Sequence, residues 1–165
     1  MTEDRFWALI EQHVTGSPEL DVDVSSLQGA LEELPAGEIV SFDEIFSRLH
    51  RASYSWRLWG AAYLINGGCS DDGFEYFRAW LIAQGRTVFE KALADPDSLV
   101  EHSAEGVECE EMLGAAWNAY ETVSGGKDLP CVPYDHPRLG ERWAFDDRAE
   151  MKKRYPRLFE RYAGA

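Results

Sequence analysis

A chain of 165 residues, 45% hydrophobic and 13% aromatic, is the size of one domain and can build a core without disulfide staples. Its formal net charge of −14 argues against general binding to a phosphate backbone, which needs clustered lysine and arginine. No N-terminal apolar h-region is present and no apolar run approaches a membrane span, while three cysteines (Cys69, Cys109, Cys131) share no CxxC spacing; a reduced cytoplasmic protein is expected.

Helical periodicity dominates in chain order, and no alternating strand pattern stands out. Thr2 opens a helix with Phe6, Leu9, Ile10 and Val14 on one face, and Ser17-Pro18 interrupts. A second helix over 25–34 stops before Pro35-Ala36-Gly37. Ser41-x-x-Glu44 reads as a capping box, in which hydroxyl and carboxylate satisfy exposed backbone donors ahead of Phe42, Ile45, Phe46 and Leu49. An aromatic-rich helix over 54–65 ends at Asn66-Gly67-Gly68, residues that tolerate left-handed backbone.

The segment after that turn is the most informative. A helix over about 71–84 is apolar on nearly every side, so it is a central, buried helix, and Gly85 stops it. Thr87-x-x-Glu90 reads as a second capping box, and its helix ends before Asp95-Pro96. A helix over 107–123 places Cys109, Met112, Leu113, Ala116, Trp117 and Tyr120 on its buried arc and closes at Gly125-Gly126. The three prolines of 129–140 predict an extended connector, and a last helix over 146–162 is broken at Tyr155-Pro156. The expected fold is all-α: one compact domain of about eight helices around the central helix.

Charge divides this chain. Up to Pro137, eight lysines and arginines face twenty-five carboxylates; from Arg138 onward, eight face five. The expectation is that residues 131–165, a connector and a basic helix, pack on the acidic body formed by 1–130.

The run GCSDDGFEYFRAWLIAQGRTVFEKALADPDSL, with FWALI near the start and EMLGAAWNAYETVSGGKDLP later, resembles the bacterial domain-of-unknown-function family forty-two-forty. The resemblance spans about residues 2–130. It brings no activity, cofactor or catalytic residue. Some relatives carry a label suggesting regulation of molybdenum metabolism, and some longer ones add a nucleic-acid-associated tryptophan-glycine-arginine domain, which these residues do not show. The resemblance implies a single cytosolic bacterial domain.

Candidate site residues concentrate on the central helix. Asp71, Glu75 and Arg78 recur at i, i+4 and i+7 and share one face, with Asp72 beside them. The structural account makes Ser70, Asp71 or Asp72 the helix cap, with Glu75 and Arg78 as an ion pair. The functional account has Arg78 gripping an anion through its planar fork, or Asp71 and Asp72 working as acid and base on a polar substrate. His13, His50, His102 and His136 lack metal-ligand spacing, and no grouping of Asp71 and Asp72 with Asp135 and His136 follows from a spacing rule, so neither metal nor cofactor is expected. Cys69 precedes the central helix, where the dipole lowers a thiol pKa, but no base is local. Gly67-Gly68 lacks the GK[ST] of a phosphate loop. Trp143 is the candidate for an exposed or clamping aromatic. With a charge excess and no catalytic constellation, the expected function is a non-enzymatic protein-interaction or regulatory module. Its partner is another protein; membrane and nucleic acid are disfavoured.

Overall fold

The periodicity resolves into nine α-helices and one 3-10 helix, with no strand among the described residues, in a computed structural model that describes residues 1–14, 22–130, 133 and 139–164. In order these are α1 (Glu3–His13), α2 (Ser25–Glu32), α3 (Ala36–Ala52), α4 (Trp56–Ile65), α5 (Asp71–Ala83), α6 (Arg86–Ala94), the 3-10 helix (Pro96–Glu101), α7 (Glu111–Ser124), α8 (Arg148–Arg154) and α9 (Pro156–Tyr162). The fold is all-α, as the sequence predicts. The predicted break at Ser17-Pro18 and most of the proline-rich connector, with Cys131, Asp135 and His136, lie outside the described residues.

Short oxygen-bearing side chains start several helices, because each satisfies a backbone N–H that the first turn leaves without a partner. Thr2 accepts from Arg5 N, Ser55 from Leu58 N, Ser70 from Gly73 N at 3.1 Å, and Asp147 from Ala149 N and Glu150 N. Two predicted capping boxes do not form. Pro35, with φ −57°, both ends the α2 region and opens α3, so Ser41 lies within that helix and donates to Gly37 O at 3.1 Å. Thr87 likewise falls inside α6, whose first N–H (Arg86 N) donates to Glu11 of α1, while Glu90 pairs with Arg86 at 2.7 Å.

The predicted hub is present. Helix α5 buries Phe74, Phe77, Trp80, Leu81 and Ile82 and packs on α3, α4, α6 and α7. A ladder of rings joins it to α4: Trp56 stacks on Trp59 (5.1 Å), Trp59 on Phe74 (4.8 Å), and the series continues through Phe77 to Trp80. Stacked and tilted rings at these spacings each add about 0.5–1.5 kcal/mol beyond the area they bury. Gly85 turns the chain after α5 with φ 87°, a conformation costly for a side-chain-bearing residue.

Helix α7 departs from the predicted arc. It starts at Glu111, so Cys109 belongs to the preceding segment, where it is buried and donates its N–H to Tyr76 O. Freed from that anchor, the helix turns by about one residue. Ala115, Ala116 and Ala119 join Met112 inside, and Trp117 comes out to 42% exposure. The small residues suit α7's close packing on α2 and α3.

The predicted last helix is divided at Tyr155-Pro156, where proline has no N–H to continue α8. Both pieces dock on the acidic body. Asp97, 6% exposed, accepts from Arg157 N (3.1 Å) and Leu158 N (2.9 Å), capping α9 from the 3-10 helix; Arg157 also pairs with Glu101. Tyr155 donates its hydroxyl to Arg57 O at 2.6 Å. Gly60 makes this docking possible, because a Cβ there would stand 2.6 Å from that hydroxyl and 2.9 Å from the Trp143 ring.

Candidate functional site

Four of the five predicted site residues come together. Asp71, Asp72, Glu75 and Arg78, on α5, line a hollow of about 200 Å³ with His50 and Arg51 from α3 and Tyr54 from the turn that follows. Helical spacing accounts for the α5 contribution: residues one or two turns apart face the same neighbour. Trp143 does not belong to it. Trp143 is half-buried between α4 and α8, its indole N–H pointing at Met151 Sδ and the Arg154 guanidinium 4.0 Å above its ring. There it fastens the C-terminal helices to α4.

The four α5 residues split by environment. Asp71, Asp72 and Glu75 are exposed. Arg78 is 8% exposed, and its Nε donates to Phe74 O (3.2 Å) and its Nη1 to His50 O (2.7 Å). Its guanidinium also lies over the rings of Tyr54 (4.6 Å) and Phe74 (5.1 Å). The expected Glu75–Arg78 ion pair does not form, because the guanidinium turns inward toward these carbonyls and rings while the Glu75 carboxylate faces solvent. Ser70 is the cap of α5, with both aspartates in its first turn, where the helix dipole favours negative charge.

His50 is the residue that sequence reasoning missed. Its Nε2 lies 3.0 Å from Glu75 O and its Nδ1 3.3 Å from Arg78 Nη1. A carbonyl accepts only, and a guanidinium donates only, so the ring is the neutral Nε2–H tautomer. Burial, then the neighbouring Arg78 charge, push its pKa down to about 4. A signal was present: Phe42, Phe46 and His50 recur every four residues on the buried face of α3, and the imidazole stacks on Phe46. His50 ties α3 to α5 and is a satisfied structural histidine.

A neighbouring hollow of about 470 Å³ shares His50, Arg51 and Glu75 with the first and extends to Asp43, Phe46 and Trp117. Asp43 forms no hydrogen bond or ion pair with the described residues, and burial beside Glu44 raises its pKa. The Cys69 thiol, expected to be acidified by the α5 dipole, is instead pushed up to about 11 by burial. Among the described residues no group of three His, Cys, Asp or Glu side chains could hold a metal ion, and no helix is long and apolar enough to cross a membrane.

An all-α domain with a carboxylate-rimmed hollow over a buried arginine is therefore the class that fold and site define. The family model described as Protein of unknown function (DUF4240) matches residues 1–122, and the chain belongs to that family. No curated protein and no solved structure matches it.

Proposed function

We propose that the protein is a non-enzymatic interaction or regulatory domain that binds a basic partner protein in the cytoplasm. The observation that carries this reading is the division of labour at the α5 hollow. Asp71, Asp72 and Glu75 stand exposed, with no ion pair to the described residues, while Arg78 beneath them is buried and donates to the Phe74 carbonyl of α5 and the His50 carbonyl of α3. An anion clamp needs the arginine fork turned outward, and acid–base work needs burial to separate two carboxyl pKa values. Here the three carboxylates are exposed, while the Arg78 Nε and Nη1 donate to backbone carbonyls, which supports the interaction reading. Exposed carboxylates on a chain of net charge −14 suit electrostatic steering of a cationic partner. Cys69 and Cys109, the free thiols among the described residues, suit a reducing compartment.

The test is titration with a fluorescein-labelled oligolysine peptide at rising salt. Binding should weaken steeply with ionic strength and fall about tenfold in the Asp71→Asn, Asp72→Asn, Glu75→Gln triple variant. Absence of binding at low salt, or identical affinity in the triple variant, would overturn the proposal.

A further inference from the structure

We infer that Trp117 is the anchor of a docking surface for a basic segment of another protein. That segment places an apolar side chain against the indole and lysine or arginine side chains on the carboxylates either side of it. The inference rests on the basic-partner reading and narrows it to a seat.

Trp117 and Val123 are the exposed large hydrophobic residues among the described residues, and Trp117 is much the larger. Nothing in the packing of α7 requires it outside: the helix buries its alanine face, and the indole is left over. Two hollows meet at it. One, about 850 Å³, lies between the start of α2 and α7 and carries Asp23, Glu110 and Glu111. The other is the 470 Å³ hollow between α3 and α7, with Asp43 and Glu75. Leu113, one turn before Trp117, lines both, so the apolar ridge is continuous. Tryptophan is enriched among the few residues that dominate binding energy, particularly where it is ringed by polar groups that exclude water.

Charge decides the occupant. Five carboxylates flank the ridge, and Arg51 is the one cation among the described lining residues. Asp43 is the sharpest feature: a half-buried carboxylate with no hydrogen bond or ion pair among the described residues, only the more distant charge of Arg51, so an arriving ammonium or guanidinium would pair with it directly. A cation can also lie on the indole face itself. A second copy of this chain is the wrong occupant, because a two-fold contact at Trp117 would set the same carboxylates against each other. Nucleic acid is repelled for the same reason.

The experiment compares two labelled peptides, one of alternating lysine and leucine and one with each leucine replaced by serine. Binding is followed by anisotropy and by the indole N–H resonances of the 15N-labelled protein, with Trp117 assigned through Trp117→Phe. The leucine peptide should bind about tenfold more tightly and shift the Trp117 resonance. Trp117→Ala, an exposed position checked for unchanged thermal unfolding, should abolish that preference, and Asp43→Asn should weaken both peptides. If both peptides bind equally and Trp117→Ala changes nothing, the seat is wrong although the basic-partner reading stands. If neither binds at low salt, both ideas fall together. Sedimentation showing a dimer that Trp117→Ala dissociates would also overturn the inference, since the surface would then belong to a second copy.

Discussion

Acid should loosen the junction of α3 and α5 through His50. The ring is 9% exposed and neutral, with its pKa pushed from 6.5 to about 4, first by burial and then by Arg78. Between those two pH values the unfolded chain holds one more proton than the folded one, so stability rises with pH across that window. The contribution is in place above about pH 6.5 and is lost as pH falls toward about 4. At about 1.4 kcal/mol per pH unit, the full depression corresponds to about 3 kcal/mol. Urea unfolding from pH 7 to 4 isolates it when the wild type is compared with His50→Gln, whose amide can also donate and accept but takes no proton. The wild type should lose about 3 kcal/mol more than the variant over that range, and the His50 ring proton should titrate near pH 4 in NMR spectra. Arg78→Met, by removing the adjacent charge, should move that titration upward. Parallel stability losses in the two proteins, or a His50 midpoint near 6.5, would refute the reasoning.

Gly60→Ala should press a Cβ into the Tyr155 hydroxyl and the Trp143 ring, costing about 1–3 kcal/mol and speeding hydrogen exchange in α8 and α9; unchanged exchange there would contradict the close approach. Asp97→Ala strips two backbone donors of α9 of their acceptor and should lower unfolding free energy by about 1–3 kcal/mol, with Asp97→Asn recovering part of it, as read by urea unfolding. Cys69 and Cys109, both pushed up to about 11 by burial, should alkylate slowly with iodoacetamide at pH 8 until urea is added. Peptide mass spectrometry finding either thiol modified at the rate of a free cysteine would count against that burial.

The sequence makes most helices legible because their signals are local. Ser70 before an aspartate pair, Gly85 after an apolar stretch and Tyr155-Pro156 each act within one turn, and α5 lies within a residue of its predicted span. The two failed capping boxes have the right residues in the wrong place. Pro35 set the start of α3 earlier than Ser41, and Glu11 reached α6 from a helix distant in sequence. Phase errors have another origin: Cys109 is buried without being helical, so counting from it rotated α7 and hid Trp117 in an imagined core. At the site, spacing correctly gathered Asp71, Glu75 and Arg78 on one face, but which way each side chain turns depends on α3. His50 and Tyr54, distant in sequence, offer the carbonyl and the ring that draw Arg78 inward. No pattern internal to α5 contains that information.

The family model matches the chain up to residue 122, two positions before α7 ends and short of the 130 expected from the sequence, yet Gly60 of α4 is shaped around Tyr155 and Trp143. Packing contacts thus reach past the homologous block. A protein trimmed to that block would lose the Phe145 ring that packs on Trp56, Trp59 and Tyr63 of α4 and present bare indole and phenol surface to its neighbours, which invites clumping during expression. Anyone preparing this domain for biochemistry should keep the basic tail as part of the scaffold.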